Sequence, residues 1–275
     1  MTPFFVVLIV ALAVCAFVWI ASLITKDTSW VDRIWSIVPV VYVWIYAIAA
    51  GFADPRLDVM AILALLWGAR LTFNFARKGG YTGMEDYRWA VLRGRMKPWQ
   101  FQLFNFFFIV LYQNLILALI ALPAQTAFAH RSTPFGALDV ILTILFLGFL
   151  AGETIADQQQ WNFHAWKHAE QAAGREPQPR FLQSGLFSFS RHPNFFFEQA
   201  QWWVMFFFGA VAAGSVLQWT VAGAFLLTVL FIGSTSFTEN ISRGRYPEYA
   251  AYQKRVSPIV PWFPRSRAEA ESAPA

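Results

Sequence analysis

Residues 3–25 read PFFVVLIVALAVCAFVWIASLIT, an apolar stretch without a charged side chain. A helix needs about 20 apolar residues to cross the hydrocarbon core of a bilayer. No basic segment precedes this stretch and no small-residue cleavage pattern follows it. The sequence therefore predicts a retained membrane-spanning helix and not a signal peptide.

The composition of the whole chain agrees with this prediction. Of 275 residues, 57% are hydrophobic and 13% are charged, whereas soluble domains carry about 25% charged residues. The single cysteine, Cys15, has no partner for an intrachain disulfide and is interpreted as a small packing residue. We expect an all-α, polytopic membrane helix bundle, and the composition excludes a soluble globular domain.

Seven apolar stretches are long enough to span a bilayer, and Pro123 is expected to end the fourth. A tight Gly214–Ser215 turn is expected to join the last two. We expect one reductase-like domain over residues 1–267, followed by a disordered tail at 268–275. The predicted spans cover residues 3–25, 30–51, 57–76, 101–122, 136–156, 195–213 and 216–237.

Lysine and arginine predict the orientation of this bundle, because cytoplasmic loops carry an excess of both. Most basic residues follow spans one, three and five or lie in the C-terminal tail, and only Arg56 and Arg131 lie opposite them. The N-terminus is therefore predicted to face outward and the C-terminus to face the cytoplasm. The net charge of +5 indicates contact with anionic lipid or a bound phosphate and not with nucleic acid.

Ionisable residues collect at the predicted cytoplasmic ends of three helices, where Glu153 and Asp157 share a helix face and Glu198 and Glu239 lie near span ends. Such residues in membrane helices are functional candidates by default. The alternative, given equal weight for each acid, is an ion pair with a neighbouring arginine that joins two helices.

The loop before span six has features of an anion site. Pro177 and Pro179 exclude a continuous helix there, and Pro193 suits the first turn of the next helix. Arg191, His192 and Asn194 would then surround a helix N-terminus, which attracts phosphate through its free N–H groups.

A second segment, residues 239–255, carries Tyr246, Tyr249 and Tyr252 at a spacing of three, which predicts one face of a short amphipathic helix. Two interpretations have equal weight: an interfacial aromatic belt or a lid over a cofactor. No G-x-G-x-x-G follows a strand pattern and no P-loop is present. The four histidines and the cysteine do not predict a metal site.

The stretches RFLQSGLFSFSRHPN at 180–194 and RYPEYAAY at 245–252 resemble motifs of the steroid 5α-reductase superfamily of membrane reductases. The stretches DTSWVDRIWSIVP at 27–39 and EDYR at 85–88 resemble its bacterial branch, known as a domain of unknown function (DUF1295). The motif R-H-P-N is partly shared with membrane methyltransferases of the isoprenylcysteine and phospholipid type.

The resemblance implies NADPH bound by a C-terminal half, about residues 136–262, in a bacterial inner-membrane protein. Phe197 stands where the family often has glycine, and Asp32-Arg33 stands where its reductases carry a glutamine–glutamate pair. By motif or by position in the two cytoplasmic segments, the cofactor-binding candidates are Asp157, Arg180, Arg191, His192, Asn194, Glu198, Glu239, Arg245, Tyr246 and Tyr249.

The activity that follows from the resemblance is hydride transfer from NADPH to a conjugated enone in a lipid-soluble substrate. The developing enolate needs a hydrogen-bond donor or acid in a dry site, and the candidates are Asp32, Trp35 and Tyr87. The expected partners are this lipophilic substrate and membrane lipid. The rival enzyme is a methyltransferase using S-adenosylmethionine, which lacks the phosphates that so many arginines favour. A transporter would have an inverted repeat and polar residues at the bilayer midplane. Only Gln113 and Asn114 fit this expectation.

Overall fold

In the computed structural model, which describes residues 1–83 and 85–266, the chain is almost entirely helical. These residues form no strand, and the only β-type pairing among them is an isolated bridge between Ser190 and Ser257. The predicted tail at 268–275 lies outside the described residues. The helices are α1 Pro3–Thr25, α2 Trp30–Trp35, α3 Val38–Ala49, α4 Pro55–Arg77, α5 Tyr87–Arg95, α6 Pro98–Phe104, α7 Gln113–Ala121, α8 Pro123–Ala129, α9 Ala137–Ala172, α10 Pro193–Ala213, α11 Val221–Arg245 and α12 Tyr249–Arg255.

Within the described residues, six helices are long and apolar enough to cross a membrane, which makes the protein membrane-embedded in character. They are Pro3–Thr25, Trp30–Ala49, Pro55–Arg77, Pro98–Ala129, Ala137–Ala172 and Val221–Arg245. The predicted sixth span forms as helix α10, but Glu198, Gln199 and Gln201 lower its hydropathy. The count of seven spans and the orientation of the termini therefore stay predictions.

Prolines affect two of the predicted spans in ways that hydropathy did not predict. The stretch from Trp30 to Ala49 breaks between α2 and α3, because Pro39 lacks an N–H and its ring clashes with the carbonyl one turn earlier. Pro123 was expected to end the fourth span. Helix α7 does end at Ala121, but Pro123 then starts α8, and the apolar helical segment continues to Ala129. Before α7, residues Asn105–Tyr112 form a π-helix.

Two further boundaries differ from the predicted ones. Helix α9 has 36 residues, which at about 1.5 Å per residue is about 54 Å, well beyond a hydrocarbon core of about 30 Å. Its last four turns therefore extend past the predicted span. Helix α11 begins at Val221, because the chain after Gly214 turns with a positive φ and continues without helix to Thr220.

The described chain divides into two compact units, one of residues 1–147 with 202–227 and one of residues 148–201 with 228 onward. In the first unit, glycines allow helices to approach closely. A Cβ on Gly68 of α4 would lie 2.5 Å from the Ser36 carbonyl oxygen, and one on Gly223 would lie 2.4 Å from Leu119 backbone. Small residues at such contacts are typical of membrane helix packing.

The first unit contains a buried ion pair between Arg56 and Asp139. Arg56 donates to both carboxylate oxygens of Asp139 at 2.6 and 2.9 Å, and to the carbonyl oxygens of Thr133 and Pro134 at 3.1 and 3.0 Å. Both charged side chains are 1% exposed. Arg56, one of the two basic residues on the predicted outer side, is therefore a neutralised structural group.

Candidate functional site

In the second unit, Arg191 and Glu239 form the centre of a buried polar network. Arg191 lies just before α10, and its Nε and Nη2 atoms donate to the two Glu239 oxygens at 2.5 and 2.9 Å. Its Nη1 donates to the carbonyl oxygens of Gln253, at 2.8 Å, and Val256. For this pair, the structure shows the ion-pair alternative that the sequence left open.

Two more side chains share the Glu239 carboxylate. His192 Nε2 lies 3.1 Å from Oε1, and Gln253 Nε2 donates to Oε2 at 2.7 Å. The backbone N–H groups of Arg191 and His192 donate to the carbonyls of Ser257 and Pro258 at 2.8 and 3.1 Å. The R-H-P-N motif is therefore held against α11 and the C-terminal segment.

The three tyrosines of the C-terminal motif surround one ring, that of Phe181 in the loop before α10. Their ring centroids lie 5.8 Å (Tyr246), 5.0 Å (Tyr249) and 5.4 Å (Tyr252) from it. Tyr249 and Tyr252 are buried, and burial raises the pKa of both phenols. Because two of the three tyrosines are buried, they do not form an exposed aromatic belt.

Cationic side chains surround Tyr246, which lies between α11 and α12. Lys167 Nζ donates to the Tyr246 hydroxyl at 3.0 Å and to the Arg180 carbonyl oxygen at 2.5 Å. The guanidinium of Arg245, an exposed residue, is 5.5 Å from the Tyr246 ring. Arg180 is 37% exposed and pairs with Glu176. We call Lys167, Arg180, Arg245 and Tyr246 the basic rim.

Lys167 is a member of the basic rim that the sequence did not single out. It lies ten residues beyond Asp157 on α9, outside the predicted span at 136–156. Only the extension of α9 to Ala172 brings its ammonium to the loop and to Tyr246.

The remaining cofactor-binding candidates are mostly buried in the same unit. Asp157 is 4% and Glu198 is 8% exposed, while Asn194 is partly buried. Phe197 packs its ring where a Cβ on Gly152 would lie, 2.6 Å away. The Phe197 ring is therefore accommodated by a glycine on α9.

In the first unit, Asp32 accepts a hydrogen bond from Trp89 Nε1 at 3.0 Å. Trp89 is 5% exposed and packs with Val31, while Trp35 lies against the same cluster. Asp32 is therefore positioned by an indole N–H, while Tyr87, another proton-donor candidate, is 53% exposed. Trp89 was not predicted, although it directly follows the E-D-Y-R motif.

The two N-terminal motifs contact each other through the side chains of the E-D-Y-R loop. Glu85 Oε1 accepts from the backbone N–H and the hydroxyl of Thr28 at 3.1 and 2.9 Å, and Arg93 binds both its oxygens. The Asp86 N–H donates to Ser29 Oγ at 2.9 Å. This loop is thereby fixed to the turn before Asp32.

Charges in this loop are mutually stabilised. Burial acts to raise the pKa of Glu85, but the hydrogen bonds from Arg93 and Thr28 outweigh it, so its pKa is lowered. Burial acts to lower the pKa of Arg88, but its hydrogen bonds and ion pair with Asp86 raise it. Both groups therefore stay charged at neutral pH.

Comparisons with known proteins give a family but no activity. The family described as "Protein of unknown function (DUF1295)" matches residues 18–256. A protein of Schizosaccharomyces pombe, printed as "Uncharacterized protein C594.04c", is 40% identical over 94% of this chain and 80% of its own length. No solved structure matches. The DUF1295 part of the resemblance is therefore confirmed.

Proposed function

We propose that this chain, which belongs to the DUF1295 family, is a membrane-embedded, NADPH-dependent reductase of a conjugated double bond in a lipid-soluble, steroid- or isoprenoid-like enone. Placement in the wider steroid 5α-reductase superfamily, in a bacterial inner membrane with the C-terminus in the cytoplasm, belongs to the same proposal.

The observation that carries the proposal is the basic rim of the second unit. Lys167 donates there to the Tyr246 hydroxyl and to the Arg180 backbone carbonyl, and the Arg245 guanidinium lies 5.5 Å from the Tyr246 ring. The Arg180 guanidinium pairs with Glu176 and lies 3.9 Å from Glu248. Arginine and lysine donors suit phosphate oxygens, and a tyrosine ring offers a stacking face. The chemistry of this donor set fits a phosphorylated dinucleotide.

The residues of the second unit divide into two roles under this proposal. Lys167, Arg180 and Arg245 bind phosphate, because each has donors near the surface. Arg191 and Glu239 act differently, since nearly all donors of Arg191 are used inside the protein. They hold the R-H-P-N loop and the C-terminal segment in the conformation that presents the basic rim.

The bound dinucleotide supplies the hydride that the β-carbon of the enone accepts. This chain must then bind the enone oxygen, deliver a proton and exclude water. Asp32 is the first candidate for the proton donor among Asp32, Trp35 and Tyr87, because the Trp89 indole donates to one of its oxygens and positions the side chain. A positioned donor of this kind contributes ~10²–10⁴-fold.

Thermal unfolding of the detergent-solubilised full chain tests the cofactor. NADPH should raise the unfolding temperature more than NADH or S-adenosylmethionine does. Arg180→Ala should weaken NADPH binding about tenfold or more, as the loss of a hydrogen bond to a charged group. Arg175→Ala is the matched control, because Arg175 is 63% exposed and pairs with Glu170 in the same region.

Activity is measured as the loss of NADPH absorbance in the presence of cholestenone, a steroid ketone with one conjugated carbonyl. Stabilisation by S-adenosylmethionine and not by NADPH would replace the proposal with the methyltransferase. If the Arg180 variant bound NADPH as tightly as the parent, the basic rim would not be the binding site.

A further inference from the structure

Two tryptophans in the first unit form a buried contact that neither the sequence nor the proposed chemistry uses. The ring centroids of Trp67 on α4 and Trp202 on α10 are 4.8 Å apart, with an interplanar angle of 81°. Trp67 is 0% and Trp202 is 2% exposed. The Nε1 atom of each is buried and has no hydrogen-bond partner among the described residues.

Each indole N–H needs an acceptor, because a buried donor without one loses its hydrogen bond to water and gains nothing. An edge-to-face pair can satisfy one N–H against the face of the other ring. The second N–H then still lacks an acceptor. At least one of these two donors is therefore left without an acceptor among the described residues.

The Trp67 indole is held on a closely packed helix. Next to it, Gly68 lies so close to α3 that a Cβ would be 2.5 Å from the Ser36 carbonyl oxygen, and Ser36 Oγ lies 2.7 Å from Thr72 Oγ1. On the Trp202 helix, Gly209 packs against Pro123, with 2.9 Å from its ideal Cβ to the Pro123 oxygen. The donors are thus preorganised.

The chemistry of the pair selects the kind of oxygen that fits. An indole N–H is a donor only, so the pair offers hydrogens and no lone pairs. A buried water usually makes about three hydrogen bonds and needs acceptors for its own hydrogens. A ketone oxygen has two lone pairs and no hydrogen, so it is satisfied by donors alone.

We propose that Trp67 and Trp202 form a binding site for a carbonyl oxygen of an apolar ligand. The inference rests on the proposed function in taking this ligand to be a lipid-soluble enone. The indole rings then serve twice, as an apolar surface for the hydrocarbon frame and as a hydrogen-bond donor for its oxygen.

Equilibrium binding of radiolabelled cholestenone to the detergent-solubilised full chain tests the site, with cholestene as the ligand that lacks the oxygen. The variants are Trp67→Phe, Trp202→Phe and the double variant, which keep an aromatic ring and remove the N–H. Trp44→Phe is the control, because Trp44 Nε1 already donates to the Ala61 carbonyl oxygen at 3.0 Å.

The double variant should bind cholestenone about 3- to 10-fold more weakly, the effect of one neutral hydrogen bond, and bind cholestene as the parent does. Trp44→Phe should change neither affinity. An unchanged cholestenone affinity in the double variant, equal losses for both ligands, or no cholestenone binding by the parent would each overturn the site.

Failure of the site and failure of the reductase give different results. If the parent binds cholestenone through the indoles but does not oxidise NADPH with it, the reductase proposal fails and the site stands. If the parent reduces cholestenone and the double variant does so with an unchanged KM, the reductase stands and the site fails.

Discussion

Arg191 holds Glu239 through two parallel hydrogen bonds, from Nε to Oε1 at 2.5 Å and from Nη2 to Oε2 at 2.9 Å, and the two residues are 48 positions apart in the chain. Their side chains are 9% and 8% exposed. The arginine of the R-H-P-N motif thus links the start of α10 to the end of α11 through a buried ion pair.

Arg191→Ala should destabilise the protein by about 3–5 kcal/mol, because it leaves the Glu239 carboxylate buried without its main partner. The apparent unfolding temperature of the detergent-solubilised chain measures this. Arg175→Ala removes an exposed arginine whose ion pair with Glu170 is screened by water, and it should change little. Similar small effects of both substitutions would contradict the buried role of Arg191.

Gly152→Ala should destabilise by about 1–3 kcal/mol, since its Cβ would overlap the Phe197 ring. In a Phe197→Ala background the same substitution should be neutral or stabilising. Gly148→Ala, four residues earlier on α9, meets nothing within 4 Å and serves as the control in unfolding measurements. A cost for Gly152→Ala that persists without the Phe197 ring would show that the contact is not its cause.

Glu85 should make stability depend on pH. Its folded pKa is lowered from an ordinary value of 4.5, so its contribution is complete above that value and is lost as pH falls through the folded pKa. Glu85→Gln should therefore unfold at a lower temperature than the parent at pH 7, and the gap should close in acid. A gap independent of pH would rule out the charge of Glu85 as the cause.

Trp89→Phe should lower kcat for enone reduction about 3- to 10-fold by removing the N–H that positions Asp32. The KM for NADPH should stay the same, because the basic rim is untouched. Trp99→Phe, at a tryptophan that is 61% exposed, is the control. If Trp89→Phe reduces turnover no more than Trp99→Phe does, Asp32 does not depend on this hydrogen bond.

Local sequence determined the helical spans and some of their ends. The uncharged stretch at 3–25 forms α1 as predicted, Pro193 starts α10, and a short helix carries Tyr249 and Tyr252. These features depend on nearby residues: an apolar stretch must satisfy its backbone hydrogen bonds internally in lipid, and proline fixes a helix start.

Only the tertiary structure decided which charged and polar groups meet. From the sequence, Arg191 was predicted to bind phosphate, and Glu239 was equally well explained by a functional role or by an ion pair. The sequence did not predict that these two residues pair with each other. It did not show that Glu85 binds Thr28, 57 residues away, that α9 carries Lys167 to Tyr246, or that Trp67 meets Trp202. Hydropathy is a property of one segment, whereas the partner of a side chain depends on how distant helices pack. That packing therefore determines which hydrogen-bond donors remain for a ligand.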